Sequence, residues 1–511
     1  MADNYRDLTE GKITTGLILF ALPMIAGNLL QQLYNIADTL IVGQVLGREA
    51  LASVGSAFTL MTFLTSIFLG LSMGAGALFS ICRGQGDDER LRAAIAQSFL
   101  LILAVTISLN AVVYIFIDPI LSFLKIPDEL FGQMKDYLLI IFAGLIATFL
   151  YNFFACLLRA IGNSMTPLWF LGISALLNIA LDLLFVLKLG FGIKGAAAAT
   201  IIAQYVSGIG LLLYFLLKCP SLMPGKRHFK PDSGIFAEIA DLSFLTCLQQ
   251  SAMNFGILLI QRLVDSFGGV TMAAFAAAVK IDAFAYLPVQ DFGNAFSTFI
   301  AQNYGAGETE RLKKGFRTAT FVSAVFSIVI STGVFIFAEP LMKIFVKASE
   351  VGVIAKGMLY LRGEGAFYVG IGCLFRLYGF NRAGKRPGMS VVLTVISLGT
   401  RVVLAYLLAG TLGEVGIWMS IPIGWGLADL VGYGYYFFEK ARTYRIKNAA
   451  FFKVQHFFHS AVQPFEHRNF IERRGDPNNP TAVDDLAVMP PLSRRQPDLT
   501  LACAEFHDRS Y

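Results

Sequence analysis

Twelve apolar runs, each long enough to cross a bilayer, dictate what this chain can become. A membrane-spanning helix needs about 20 mostly apolar residues in succession. Runs of that kind cover 14–46, 50–80, 93–117, 135–158, 166–189, 195–217, 236–262, 270–299, 316–337, 355–379, 389–410 and 415–438. Lipid offers the backbone no hydrogen-bond partner, so the runs are expected to be helices. Composition agrees: 56% of the residues are hydrophobic and 15% charged, where a soluble chain carries about 25% charged residues. The 45 Phe and 48 Gly suit lipid-facing bulk and close helix packing. The first run lacks a small-residue cleavage site and reads as a span, not a signal peptide.

Charge sets the expected orientation. One set of alternate loops holds Arg83, Arg90 and Arg92, then Lys226, Arg227 and Lys230, then Arg311, Lys313 and Lys314. Arg382, Lys385, Arg386, Lys440 and Arg442 belong to the same set. The opposite loops are much poorer in Lys and Arg. The positive-inside rule therefore puts both termini in the cytoplasm of a cell-membrane protein. The net charge of +6 needs no nucleic-acid partner, because it sits in short loops beside spans. Six Cys show no paired spacing, which supports neither a disulfide framework nor a zinc site.

The chain also repeats itself. Asp118-Pro119 recurs as Glu339-Pro340, an offset of 339 − 118 = 221. Gly84-x-Gly86 followed by Glu89-Arg90-Leu91 recurs at that offset as Gly305-x-Gly307 followed by Glu310-Arg311-Leu312. Gly47 matches Gly268, and Gly195 matches Gly416. Arg159-Ala160-Ile161-Gly162 resembles Arg382-Ala383-Gly384 with one residue lost. Six spans per copy is an even number, so the copies share one orientation and form a parallel repeat. The expected fold is an all-α membrane protein of twelve transmembrane helices in two six-helix lobes. The first lobe is 1–217, a cytoplasmic linker 218–234, the second lobe 235–445 and a largely disordered cytoplasmic tail 446–511. In that tail Phe-rich residues beside Lys453 could lie on the membrane surface, and His456 and His459 have a metal-compatible spacing.

Polar residues inside the spans are the candidate site, because each charge placed in hydrocarbon costs roughly 2.5–3.5 kcal/mol. Span 1 carries Gln31, Tyr34, Asn35 and Asp38 on one helical face. Span 5 carries Ser174, Asn178 and Asp182, and span 6 Thr200, Gln204 and Ser207, also three to four apart. Asp38, Asn178, Asp182 and Thr200 fall at one depth, in the outer half. Such oxygens suit a hard monovalent ion and equally suit two carboxylates sharing a proton. Buried Asn, Thr and Gln also often do no more than bridge helices. Pro23 in span 1 removes a helix hydrogen bond and predicts a hinge. Gln249 and Asn254 in span 7, with Lys280 and Asp282 in span 8, complete the expected cavity lining. Elsewhere in the second lobe Glu364 is expected to pair with Arg401, and Asp291 with Arg376.

As a set, these features resemble the multidrug and toxic compound extrusion (MATE) transporters. The resemblance spans about residues 10–440 and rests on the parallel repeat, Pro23, Asp38, Asn178-x-x-x-Asp182 and the two Gly-x-Gly motifs. It implies a cation-coupled antiporter that exports bulky, often cationic organic compounds, with Asp38, Asn178, Asp182 and Thr200 as its cation site. Another branch of the family carries an acid in span 7, where this chain has Gln249, Gln250 and Asn254. The resemblance implies small organic substrates, membrane lipids as surroundings, a monomer, and no cofactor beyond coupling H+ or Na+. A lipid-linked oligosaccharide flippase is the alternative, but flippases more often have fourteen spans and a basic cavity. A membrane enzyme finds no nucleotide loop, metal cluster or activated nucleophile here.

Overall fold

The computed structural model describes residues 5–123 and 128–439. The tail, with His456 and His459, lies outside the described residues. The described residues up to Tyr435 form one compact unit. Within it, the described residues are helices joined by tight turns.

The first lobe runs α1 (Ile13–Val45), α2 (Arg48–Gln85), α3 (Asp88–Ile115), α4 (Ile117–Phe123), α5 (Asp128–Ala143), α6 (Leu145–Ala160), α7 (Met165–Asp182) and α8 (Gly192–Lys218). The second runs α9 (Ser233–Asp265), α10 (Gly269–Gly305), α11 (Thr309–Ile336), α12 (Ala338–Phe345), α13 (Val351–Gly365), α14 (Tyr368–Ala383) and α15 (Pro387–Leu412). A final helix, α16, covers Glu414–Glu439. Between the lobes, the linker forms two short 3-10 turns, Pro220–Leu222 and Lys226–Phe229.

The repeat is visible in the helix boundaries. Starts at Arg48 and Gly269, Asp88 and Thr309, and Ile117 and Ala338 are each 221 residues apart (309 − 88 = 221). Offsets of 223 for α6 and α14 (368 − 145 = 223) and 222 for α7 and α15 (387 − 165 = 222) place the lost residue in the loop between them. Gly47 and Gly268 cap α2 and α10 at φ 85° and 88°, a left-handed turn that side chains disfavour. The prolines of the Asp-Pro and Glu-Pro pairs fall in the first turns of α4 and α12, where a missing N–H costs nothing.

Among the described residues, ten helices are single spans by length and composition, and α5 with α6, bent by 42°, can make an eleventh. The expected fourth span is thus broken, with Gly144 at the joint. The tenth expected span, 355–379, is the pair α13 and α14. It carries Lys356, Arg362, Glu364 and Arg376, and its two helices, of 15 and 16 residues, are each shorter than a full span. Leu176, Phe321, Val329 and Leu430 are among many large apolar side chains pointing outward, the surface of a protein solvated by lipid. Inside, Phe79, Phe99, Phe153 and Phe154 pack edge-on in the first lobe. In the second, Phe275 stacks on Trp418 at 5.4 Å.

Candidate functional site

α1 packs against α7 and α10, and α7 against α8. Asp38 lies two turns before the end of α1, Asp182 is the last residue of α7, and Thr200 lies two turns into α8. All three therefore reach the same end of the first lobe. Just beyond Asp182 the helix widens into a π turn, Leu183–Lys188. Such turns often accompany functional sites, and nothing in the apolar pattern signals this one.

The four expected site residues come together. Asp182 is fully buried and Asn178 nearly so. Asn178 Nδ2 donates to Thr200 Oγ1 at 3.3 Å, and Thr200 Oγ1 donates to the Ala196 carbonyl at 3.1 Å. That leaves Asn178 Oδ1 free. It joins Asp38 Oδ1 and both Asp182 oxygens as buried acceptors with no donor. Asp38 and Asp182 are immediate neighbours, with Tyr34 and Tyr137 in their field. Two carboxylates bond to each other only through a shared cation or proton. Buried acceptors without partners are costly, so the adjoining carboxylates of Asp38 and Asp182 form a receptor for positive charge. Tyr137, on α5, is a neighbour that sequence spacing does not reveal.

Other expected residues scatter. Gln31, Tyr34 and Asn35 are half-buried along α1. Gln204 accepts from Thr148 Oγ1 at 3.3 Å, and Ser174 bonds the Ala203 carbonyl at 2.7 Å, so these two brace helices. Gln249 is buried with its Oε1 unpartnered. Asn254 turns back on its own helix, donating to the Gln250 carbonyl at 3.2 Å. Lys280 is exposed while Asp282 is buried, as residues two apart on a helix must diverge. Pro23 is buried inside an unbroken α1. Pro288 plays the same part in α10, unsignalled by the repeat.

In the second lobe the expected ion pairs are corrected. Asp282 accepts from Tyr368 Oη at 2.5 Å. Glu364 and Arg401 lie in its field. Arg401 Nε and Glu364 Oε2 nevertheless keep no hydrogen-bond partner, so a loose cluster replaces the tight pair. Arg376 does not meet Asp291. It binds Tyr433 Oη, lies 5.5 Å over the Phe316 ring and faces Asp429 on α16. Asp291 instead crosses the lobe boundary: Asn28 Nδ2 on α1 donates to both of its oxygens at 2.6 Å. A single chain shows spans and charges but not which side chain faces which, so these partners are legible only in three dimensions.

The MatE family model matches residues 23–184 and 244–407, one copy in each lobe. The chain is similar to the "Probable multidrug resistance protein YpnP" of Bacillus subtilis, 29% identical over 443 residues, covering 86% of this chain and 98% of that protein. It is also similar to the "Probable multidrug resistance protein NorM" of Thermotoga maritima, 26% identical over 427 residues, covering 82% of this chain and 90% of that one. A solved outward-facing multidrug resistance MATE family transporter of the MOP superfamily superposes with a TM-score of 0.79. That match is at 23% identity over 84% of this chain and 96% of the other, and it speaks for the fold.

Proposed function

The chain belongs to the MatE family, and on that premise we propose that it is a cation-coupled antiporter exporting bulky, often cationic organic compounds by alternating access. It is a multi-pass membrane protein, and we place it in the cell membrane with both termini cytoplasmic, from the bias of Lys and Arg to one set of loops. One observation carries the mechanism: the carboxylates of Asp38 and Asp182 adjoin, and Asp38 Oδ1 and both Asp182 oxygens are buried without a donor. A proton or sodium ion entering from outside would neutralise them. It would draw α1 and α7 together, and this change of shape would release substrate. Loss of the ion toward the cytoplasm would reset the lobe. The names of the relatives above support multidrug compounds as substrates.

The test is uptake of a fluorescent organic cation into inverted vesicles, driven in turn by a pH gradient and by a sodium gradient. Uptake under one gradient supports the proposal and names the ion. Uptake that ignores both gradients would remove cation coupling.

A further inference from the structure

The Gly-x-Gly and Glu-Arg-Leu motifs, present in both lobes, take no part in the cation site. In each copy the glycines end the second helix of a lobe and the arginine opens the third. Gly84 lies against the Gln302 backbone and Gly305 against the backbone of Ile81 and Gln85, so closely that a methyl group on either would overlap it. The ends of α2 and α10 thus touch backbone to backbone across the lobe boundary.

From this crossing each arginine reaches the other lobe. Arg90 Nη2, on α3, donates to Glu238 Oε2 on α9 at 2.5 Å. Arg311, on α11, donates to the carbonyls of Leu8 at 3.1 Å, Glu10 at 3.0 Å and Gly11 at 2.9 Å. Those three residues lead into α1, so Arg311 grips the entry to the first lobe as Arg90 grips the start of the second. The same segment is tied to the first lobe, where the Arg6 N–H donates to the Gly162 carbonyl at 3.0 Å. Gln302, from α10, donates to the Ala160 carbonyl at 2.7 Å and accepts from the Leu8 N–H at 3.2 Å.

We propose that the repeated motif is a two-fold-related clasp that seals the transporter toward the cytoplasm and must release before substrate enters from that side. This rests on the alternating-access reading above. The bonds join two bodies that alternating access requires to part, and they lie at the end holding the basic loops. The glycine contacts exist only while the helix ends touch. The two motif glutamates, by contrast, differ: Glu310 pairs within its own helix with Lys313 at 2.7 Å, whereas Glu89 holds Arg227 of the linker at 2.7 Å. The elements used alike in both copies are the glycine and the arginine, those that meet the opposite lobe.

The experiment measures distances by double electron–electron resonance on the full chain, its native cysteines replaced. Spin labels replace Ser221 in the linker, where its carbonyl is held by Arg92 Nε of α3 at 2.8 Å, and Lys314 in the second lobe, both exposed. Arg90→Ala and Arg311→Ala should each add a longer-distance population, on the order of tenfold above that of the parent, since each removes charge-assisted hydrogen bonds. The double variant should add more. Glu238→Gln keeps the side-chain volume, should reproduce Arg90→Ala, and carries the test if an arginine variant fails to fold. Parent-like distances in both the double variant and Glu238→Gln would overturn the clasp. The labels report lobe separation whether or not any compound is carried. A protein that opens in these variants yet transports nothing therefore keeps the clasp and loses the exporter reading.

Discussion

Asp182 is wholly buried, and neither of its oxygens meets a donor. A carboxylate kept so is expensive, and no structural partner offsets the expense. Asp38→Asn and Asp182→Asn are therefore expected to abolish gradient-driven export without loss of membrane insertion, checked by export assay and immunoblot of the membrane fraction. Arg376 makes the opposite case. It is 1% exposed and lies in the field of the half-buried Asp429, so Arg376→Gln takes from that acid its nearby positive charge. The yield of monodisperse protein should fall, and adding Asp429→Asn should restore part of it. A double variant no better than the single one would remove the pairing. The acids themselves stand out in the sequence, because carboxylates are rare in apolar runs. Their partners do not: Asp291 with Asn28 and Arg376 with Asp429 each join residues far apart in the chain, and no spacing rule pairs them.

At the scale of the helix, α1 carries Pro23, Asn28 and Asp38 in order, so one element links the proposed hinge, a lobe-crossing bond and the proposed cation site. Pro23→Ala should slow turnover severalfold while substrate affinity changes little, because a hinge governs interconversion and Pro23 offers a ligand no donor. Stopped-flow transport beside equilibrium binding separates the two, and lost affinity at an unchanged rate would contradict the hinge. Helix boundaries were largely legible, since apolar runs and glycine or proline punctuation mark them. The break at Gly144 was not, because bending a helix leaves its average hydropathy intact. The π turn after Asp182 has no compositional mark either. The split of the tenth span between Gly365 and Tyr368 is equally unmarked, because its residues keep their apolar average across the break.

Across the whole molecule, a parallel repeat yields two lobes of one design with unlike chemistry. Among the described residues, the first gathers acids with no basic side chain among them; the second sets Asp282 and Glu364 against Arg401. Under the proposed mechanism that asymmetry predicts that Glu364→Gln leaves the dependence of export on the driving gradient unchanged, whatever it does to yield. A Glu364 variant that folds normally but no longer responds to the gradient would place a coupling site in the second lobe.

The central claim is that the Asp38–Asp182 pair converts a cation gradient into export, and proteoliposomes test it most directly. Purified parent protein and Asp182→Asn are each loaded with a fluorescent organic cation and followed under an imposed pH or sodium gradient, and again as exchange at equilibrium with no gradient. The account predicts that the variant still binds substrate and loses all gradient-driven flux. Gradient-driven flux by Asp182→Asn at the parental rate would contradict it.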